Sequence, residues 1–499
     1  MRQTSFPYQL EAIESLRDGF RKGMRRGLLC MLMGAGKSHV AINMMRLTAE
    51  KGNYSLFLCD RRMLADQAVE RARSEELSAA QIMAGRDLDL SCQCQFGSKQ
   101  TIISWLERGR IKLPDFKLIV TDECHRGISE GSISLYNRFP NAYLVGLSAT
   151  PCLGDGGGMG KYYDFLVQPI QPSSLRSMGR IVPVKAFAPH VPNLKGVARD
   201  KDGDYAAKSL SERMTRENLV GDIAGWWKKL AENRPSLYFA CDIAHATSIR
   251  DEFRAAGVPA DMICDETCDD ERSQIKEALE LGKIKVCVNV DVCAEGIDWP
   301  FVSCIGLVRP TKRLRRYLQS TGRGMRACEG KTDCILIDHS GCVLYHGFPD
   351  TDRDWPIAPT DNIDTKNQSR NTKETRPIKC VKCSALFQGS RTCPACGHLH
   401  TFTKPAKDYA QGTGSLIEIS KGDIPEQTQN ILYQRFWATC IATAIKGGRT
   451  AGMAAGMFSK KFGIPPWQAR VQPLPKHSID WKKSAIDIFP GFAWRMNGR

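Results

Sequence analysis

Short apolar runs alternate with amphipathic stretches along the first two thirds of the chain. Strand candidates are residues 28–32, 55–59, 117–121 and 143–147, followed by 236–240, 260–264, 283–290, 304–308 and 333–338. Helical periodicity occupies residues 39–51, 63–76, 244–256 and 271–281 between them. Strands that alternate with helices at this spacing predict parallel sheets. Since there are two such series, the pattern predicts two α/β domains.

The pattern also predicts where these domains end. The joint is expected near "QPSSLRSMGRIVP", residues 171–183, which gives domains at residues 1–172 and 173–348. Residues 349–376 are polar and contain proline, as is typical of a linker. Residues 377–404 carry two cysteine pairs. Residues 425–464 alternate small and apolar residues, and residues 405–499 are predicted to form a basic helical C-terminal domain.

Charge and cysteine content narrow the class of protein. The 499 residues carry a formal net charge of +16, and residues 361–499 hold 21 Lys and Arg against 9 Asp and Glu. Such an excess favours a polyanionic partner. No apolar run is long enough to span a bilayer and the N-terminus lacks a signal-peptide core, so an intracellular protein is expected. Its 20 cysteines are then expected to be reduced, most of them small core residues such as Cys30, Cys59, Cys241 and Cys287.

The segment "MGAGKS" follows the first predicted strand and opens the next helix. Its members are Met33, Gly34, Ala35, Gly36, Lys37 and Ser38. The glycines let backbone N–H groups approach a phosphate, Lys37 can reach the terminal oxygens, and the Ser38 hydroxyl can bind Mg²⁺. The first glycine of the general P-loop pattern is Met31 here, and a glycine turn that caps a helix is the alternative. The strand–loop–helix setting favours a phosphate site.

The stretch "LIVTDECHRG" ends an apolar run on two adjacent carboxylates, Asp122 and Glu123. In a P-loop fold, Mg²⁺ is held by the loop hydroxyl and by an acid at the end of a nearby strand. Asp122 is therefore predicted to bind Mg²⁺ together with Ser38, and Glu123 to orient and deprotonate the attacking water. A strand that simply ends in solvent is the alternative, which the upstream P-loop disfavours.

These two segments resemble motifs I and II of the superfamily 2 helicases, and further motifs of that family follow in order. "FPYQ" resembles the Q motif, whose glutamine, here Gln9, reads adenine, although an arginine usually stands where Phe6 is. Residues 57–67 resemble motif Ia, 97–101 motif Ib, 148–150 ("SAT") motif III, 288–300 motif V and 319–326 ("QSTGRGMR") motif VI. The resemblance implies an α/β fold of two tandem RecA-like P-loop domains, with ATP and Mg²⁺ between them.

The resemblance also assigns the second wall of that nucleotide cleft. It implies that Gln319, Arg323 and Arg326 of motif VI meet the γ-phosphate that the first domain holds, where arginines stabilise the transition state. Gly296 and Asp298 of motif V would line the same wall. A basic helix on a solvated face is the alternative for motif VI. The three residues of "SAT" form a weak motif when taken alone.

Two longer stretches, "ATPCLGDGGGMGKYYDFLV" and the segment from "LVRPTKRLRRYLQ" to "IDHSG", resemble the RadD-type bacterial DNA-repair helicases and their phage relatives. The resemblance runs from about residue 3 to 345, with Cys152 at a position that arginine usually occupies. It implies single-stranded or branched DNA as a partner, in repair, recombination or phage replication. Single-strand-binding, replication or repair proteins would be further partners, in the cytoplasm of a bacterium or a phage-infected cell.

The cysteine pairs form C-x2-C, nine residues, C-x2-C. The four members are Cys380, Cys383, Cys393 and Cys396. Four thiolates satisfy tetrahedral Zn²⁺, and the short gap suits a small ribbon hairpin. A redox C-x-x-C pair is the alternative, but a polar stretch without a core of its own favours zinc. His398 is expected to be a bystander.

Two basic regions remain open to two interpretations. The run "KRLRR", residues 312–316, is either a solvated helix face or a contact to a phosphate backbone. In the tail, aromatic residues interleave with cations, which is typical either of base stacking or of a small helical core with a basic surface. The aromatic residues are Phe436, Trp437, Phe458, Phe462 and Trp467.

The favoured function is therefore ATP-dependent translocation on DNA or its unwinding. An RNA-directed motor is an alternative, because contacts to the backbone carry little sequence information. An ATP-switched accessory clamp and the motor subunit of a restriction system are two others. No added nuclease motif is evident in the sequence.

Overall fold

The computed structural model describes most of the first 400 residues and a few beyond them. The described residues are 4–59, 62–126, 128, 130–200, 203–216, 222–292, 298–364, 377–400, 437, 440, 451–462 and 466. The chain forms two compact units, Met1–Phe402 and Thr403–Arg499. Among the described helices, none has the length and apolar character that crossing a membrane requires.

The first sheet has seven parallel strands in the order β3-β4-β2-β5-β6-β1-β7. Its strands are β1 Arg26–Cys30, β2 Tyr54–Cys59, β3 Ala79–Ile82, β4 Cys94–Ser98, β5 Phe116–Thr121, β6 Tyr143–Ser148 and β7 Phe165–Val167. Its helices are α1 Pro7–Arg21, α2 Lys37–Ala49, α3 Arg62–Ser74, α4 Lys99–Glu107, α5 Glu130–Asn137 and α6 Pro172–Ser177. Because all strands run in parallel, their carboxyl ends share one edge of the sheet.

The second sheet has six parallel strands in the order β10-β11-β9-β12-β13-β8. Its strands are β8 Val184–Phe187, β9 Ser236–Phe239, β10 Ala260–Ile263, β11 Val286–Asn289, β12 Cys304–Leu307 and β13 Cys334–Asp338. Its helices are α7 Ala207–Arg216, α8 Ile223–Leu230, α9 Ile243–Ala255, α10 Asp269–Glu280, α11 Leu314–Met325 and α12 Cys342–His346. The two parallel-sheet domains confirm the predicted tandem RecA-like fold.

A hairpin of β14 Ile378–Lys379 and β15 Leu386–Phe387 follows, and the second unit contains α13 Ala451–Phe462. In that unit the rings of Trp437 and Phe458 meet edge to face at 5.9 Å, and Phe458 is fully buried. These contacts agree with a small helical core. The other tail aromatics singled out above lie outside the residues whose side chains are described.

Burial explains why the predicted strands form. The central strands β5, β6, β9, β12 and β13 are buried along nearly their whole length, as parallel strands covered by helices on both faces must be. The nine predicted strands are all present, with ends shifted by at most three residues. Cys30, Cys59, Cys241 and Cys287 are buried in the cores, as predicted.

Four strands escape the sequence pattern: β3, β4, β7 and β8. They have three to five residues each, and β4 carries a glycine, so none shows a long apolar run. Three of them lie at sheet edges and the fourth next to one. Their place is fixed by pairing with a neighbouring strand, which a local pattern cannot show.

The segment predicted as a linker is not a free spacer in its described part. Residues 349–364 pack against the folded domains, and Trp355 and Ile363 are buried in the core of the second sheet. The polar composition misled the prediction because its carboxylates are used in contacts: Asp350 pairs with Arg176, and Asp352 accepts from Ser173. Residues 365–376 lie outside the described part.

Candidate nucleotide cleft

Three chain segments meet at the carboxyl edge of the first sheet. The P-loop, residues 33–38, follows β1; Asp122 and Glu123 follow β5; and Ser148 ends β6, the strand between them. Asp122 is fixed there by its backbone N–H, which donates to Leu58 O at 2.9 Å. The sheet order thus brings together the predicted phosphate and metal residues.

The P-loop needs its glycines. Gly34 and Gly36 have φ of +84° and +87°, in the left-handed region that side chains other than glycine rarely adopt. A Cβ atom at Gly36 would also lie 2.4 Å from Gln9 Nε2. Lys37 Nζ donates to Met31 O at 3.1 Å, so the lysine lies folded over the loop that precedes it. Gly36 caps the helix α2, whose first turn carries Lys37 and Ser38.

Gln9 holds the P-loop from the side of α1. Its Nε2 donates to Ala35 O at 3.0 Å, and its Oε1 accepts from Phe6 N at 3.0 Å. Tyr8 O–H donates to the same carbonyl at 2.9 Å. The structure therefore places the predicted adenine-reading glutamine on the loop itself. The Arg180 guanidinium carbon lies 4.5 Å from the centre of the Phe6 ring, so an arginine from the interdomain segment packs on this aromatic side chain.

A polar chain runs from the paired carboxylates across the cleft. Gln319 Nε2 donates to His125 Nε2 at 3.3 Å, so the His125 proton is on Nδ1. That Nδ1 lies 2.9 Å from Ser148 Oγ and 3.4 Å from Glu123 Oε2. His125 and Gln319 are both buried. This series of contacts links motif II, motif III and motif VI. The sequence analysis did not single out His125, although its place in "TDECH" was the available signal.

Motif VI forms α11, which lies between the two sheets. A Cβ atom at Gly322 would lie 2.3 Å from Met33 Cε of the P-loop, and one at Gly324 would lie 2.4 Å from Cys334 Sγ. The two glycines therefore let the helix approach both the P-loop and its own sheet. The helix is buried along most of its length, which excludes a solvated face.

Of the two predicted arginines of motif VI, Arg326 lies beside the P-loop. Arg323 is buried, and Arg326 follows the last residue of the helix. The Arg326 side chain passes Gly34, where a Cβ atom would lie 3.8 Å from Arg326 Cγ, and its guanidinium pairs with Asp298. Gly296 lies outside the described residues.

The basic run at residues 312–316 is largely neutralised within the chain. Lys312 lies over the Tyr205 ring at 5.1 Å, and Arg313 pairs with Asp364 at 2.8 Å. Arg316 lies 3.8 Å from Asp291, and burial lowers its pKa. These three side chains are half-buried and have partners within the chain, which departs from a fully solvated face, and the phosphate contact stays a prediction.

The four cysteines of the hairpin converge on one point. Cys380, Cys383, Cys393 and Cys396 have Sγ atoms that all lie within 4.8 Å of one another. The closest pairs are 3.6 and 3.7 Å apart, and four thiolates at about 2.3 Å from a tetrahedral Zn²⁺ lie about 3.8 Å apart. The donor set and its spacing fit zinc.

The surroundings of Cys380 favour its thiolate, whereas burial raises the pKa of Cys383 to about 12. Burial opposes ionisation of Cys380, but hydrogen bonds from the backbone N–H of Cys383, the His400 ring and the Lys382 N–H lower the pKa of this thiol to about 5. His398, expected to be a bystander, contributes its carbonyl to Cys393 N at 2.8 Å. Sequence reasoning missed His400, which lies beyond the cysteine spacing that drew attention.

The hairpin has a core after all, and it shares that core with the second sheet. Phe187 of β8 packs against Ala385 and Phe387, while Leu386 packs into the core of the second sheet. Ala188 N donates to Ser384 O at 2.9 Å, which extends the sheet beyond its β8 edge. The expectation of a stretch without a core was wrong because β8 supplies part of it.

Comparisons with known proteins agree with this architecture. The family described as "Type III restriction enzyme, res subunit" matches residues 3–153, and the helicase conserved C-terminal domain matches residues 221–328. A 51.5 kDa protein of a Lactococcus phage is 29% identical over 367 residues, which cover 73% of this chain and 76% of the phage protein. The mitochondrial ATP-dependent helicase irc3 of Schizosaccharomyces pombe is 27% identical, over 66% of this chain and 56% of its own length.

Among solved structures, the fragment of an HsdR subunit of a type I restriction enzyme from Vibrio vulnificus has the same fold. It superposes with a TM-score of 0.54 at 20% identity and covers 71% of this chain and 67% of that fragment. At this identity the likeness concerns the fold alone.

Proposed function

The chain belongs to the ATP-hydrolysing helicases of superfamily 2, and from that premise we propose that it is a DNA-directed motor of the RadD type. It couples ATP hydrolysis to movement along single-stranded or branched DNA, or to its unwinding, in repair, recombination or phage replication. The observation that carries the proposal is the packing of α11 against the P-loop and motif II, where Gly322 contacts Met33 and Gln319 contacts His125. A motif VI helix in this place converts nucleotide state into relative movement of two domains.

The first wall of the cleft binds ATP and activates the attacking water. Lys37 and the N–H groups of the P-loop would hold the phosphates, and Ser38 and Asp122 would hold Mg²⁺, which would supply positive charge against the developing negative charge. Glu123 accepts a proton from the attacking water. His125 donates from Nδ1 to Ser148, and the same ring nitrogen lies 3.4 Å from Glu123 Oε2, so the imidazole packs beside that carboxylate. Gln9 keeps the loop in its phosphate-ready shape through Ala35 O.

The second wall supplies positive charge. Arg326 exchanges Asp298 for the γ-phosphate when ATP is bound, and Arg323 contributes from inside α11. The resemblance to motif V also assigns Gly296 to this wall. Because the Gln319–His125 contact spans the cleft, loss of the γ-phosphate is transmitted from Glu123 to α11. The strand held across both domains then shifts.

The cysteine hairpin binds one Zn²⁺ through four thiolates, and the metal supplies folding energy rather than chemistry. Four Sγ atoms within 4.8 Å support the assignment. The hairpin extends the second sheet at β8, so zinc stabilises an edge of the motor. The basic C-terminal region adds affinity for the DNA backbone, because residues 361–499 hold 21 Lys and Arg against 9 Asp and Glu.

The test is the ATPase rate with single-stranded DNA, forked DNA, duplex and RNA, each compared with the rate of the free protein. Lys37→Ala serves as the control for contaminating ATPase. We expect stimulation by single-stranded or forked DNA well above that by RNA. Stimulation by RNA alone would replace the proposal with an RNA-directed motor, and no stimulation by any of the four would reject a nucleic-acid motor.

A further inference from the structure

Residues 349–364, which we call the strap, lie after the second domain in sequence but contact both domains. On the first domain, the strap binds α6 and the segment before it: Asp350 pairs with Arg176, Asp352 accepts from Ser173, and Arg353 O accepts from Gln168 Nε2 at 2.7 Å. On the second domain, Trp355 and Ile363 enter the core. The strap therefore bridges the cleft on the outside.

The start of the strap is anchored by one buried arginine. Arg353 donates to the carbonyls of Phe348, Pro349 and Thr351 at 2.8 to 3.3 Å. Because the guanidinium satisfies these backbone acceptors, the chain can turn away from the second domain without leaving buried carbonyls unpaired.

The strap then runs along a glycine-rich loop, residues 153–160, which directly follows motif III. Gly158 N donates to Asp361 O at 2.9 Å, Gly160 N donates to Ile357 O at 2.7 Å, and Ile363 N donates to Gly156 O at 2.9 Å. Glycine is required at positions 158 and 160 because the strap backbone lies too close to leave room for a side chain. A Cβ atom at Gly158 would lie 2.2 Å from Ala358 O, and one at Gly160 would lie 2.6 Å from Ile357 O.

The end of the strap reaches motif VI. Asp364 Oδ1 accepts from Leu314 N, the first residue of α11, at 3.0 Å. Asp364 Oδ2 accepts from Arg313 at 2.8 Å, and the same Arg313 nitrogen donates to Asp155 O at 2.7 Å. Asp364 thus joins the N-terminus of the motif VI helix to the loop after motif III.

We propose that the strap fastens the two domains in the arrangement that seats α11 on the P-loop, with Asp364 as its positioning residue. The inference rests on the proposed function, because it concerns closure of the same cleft. The fastened arrangement is the one in which Gln319 meets His125 and Gly322 meets Met33. When the strap is loosened, the domains open more easily, and binding of nucleic acid must supply a larger share of the free energy of closure.

Two substitutions loosen the strap at positions outside the P-loop and motifs II and VI. Gly158→Ala places a methyl group against the strap backbone, and Asp364→Asn removes the charge that holds Arg313. Gly154→Ala is the matched control, since a Cβ atom at Gly154 of the same loop meets nothing within 4 Å. The readout is the concentration of poly(dT) that gives half-maximal ATPase, measured together with the maximal rate.

We expect this concentration to rise by about tenfold in Gly158→Ala and in Asp364→Asn, which corresponds to about 1.4 kcal/mol of lost closure energy. The maximal rate at saturating poly(dT) should stay near that of the parent. Arg313→Met combined with Asp364→Asn should cost less than the sum of the two single changes, because both remove the Arg313–Asp364 contact.

Three outcomes overturn the proposal: both variants behave like Gly154→Ala, the maximal rate alone falls, or the ATPase without DNA rises, as release of a brake would cause. The failure of the proposed function looks different. In that case Gly154→Ala and the parent protein would themselves show no stimulation by poly(dT). Should Gly158→Ala fail to fold, Asp364→Asn alone decides.

Discussion

Glu123 has a backbone φ of +42°, in a region that residues other than glycine rarely adopt, directly after Asp122 at the carboxyl end of β5. Such strain persists where the surrounding structure compensates for it, and sites of chemistry are common among those places. The paired acids and the P-loop could be predicted from residue type and spacing. The contacts of His125 with Ser148 and Gln319 could not, because they depend on strand order and on how α11 meets the first sheet.

Glu123→Gln should still bind ATP but should fail to hydrolyse it. A glutamine cannot accept the proton of the attacking water, and general-base catalysis typically contributes about 10²–10⁴ in rate. Glu130→Gln, an exposed acid in the first turn of α5, is the control. Steady-state turnover and nucleotide affinity are measured together. Turnover at the parent rate would remove Glu123 from the chemistry.

Arg326→Ala should leave nucleotide affinity nearly unchanged and slow hydrolysis by about 10³–10⁵, as loss of an arginine finger does. The side chain passes Gly34 and pairs with Asp298, so it is poised next to the P-loop rather than on a free surface. Arg254→Ala, at an exposed ion pair of the same domain, is the comparison. Normal hydrolysis in the presence of DNA would contradict the two-wall account.

At the scale of elements, buried strands with long apolar runs were predictable, whereas β3, β4, β7 and β8 were not. The hairpin of β14 and β15 was also predictable only in part. Its cysteine spacing predicted a metal site, but its docking on β8 depends on Phe187, which lies about two hundred residues away in sequence. Local patterns carry the chemistry of this element but not its place on the second sheet.

Changing Cys380 and Cys383 to Ser should release the metal and loosen the β8 edge while ATP binding survives. Loss of about 1–2 kcal/mol of packing is typical of such changes, and each kcal/mol lowers Tm by about 2–4 °C in a domain of this size. Cys268→Ser, at an exposed cysteine outside the cluster, is the control. Metal content per chain and the Tm are measured. Protein purified without chelator that contains no zinc would remove the site.

At the scale of the whole molecule, positive charge is concentrated toward the C-terminus, after the two α/β domains. Residues 403–499 carry 14 Lys and Arg against 6 Asp and Glu, and the structure separates Thr403–Arg499 as a compact unit. Net charge and its position were predictable from composition. The strap was not predictable, because its polar, proline-bearing sequence resembles a linker. Only the structure shows the partners of Asp350, Asp352 and Asp364.

Removing residues 403–499 should weaken DNA binding and flatten its dependence on salt. Each lysine or arginine that contacts a phosphate releases counterions, with a slope of about −0.9 per contact for duplex DNA and about −0.7 for single strands. Truncation at this point keeps the hairpin on β8, so the motor core stays intact. Equal slopes for the full-length and truncated proteins would place the entire binding surface on the motor.

The most direct test of the account is ATP-dependent displacement of streptavidin from end-biotinylated single-stranded DNA, with Lys37→Ala as the partner protein. We predict that the parent displaces streptavidin only when ATP is present, and that Lys37→Ala binds the same DNA without displacing it. A parent protein whose ATPase responds to DNA but which displaces streptavidin from neither end would contradict the account. It would then be a clamp that ATP switches rather than a motor that ATP drives.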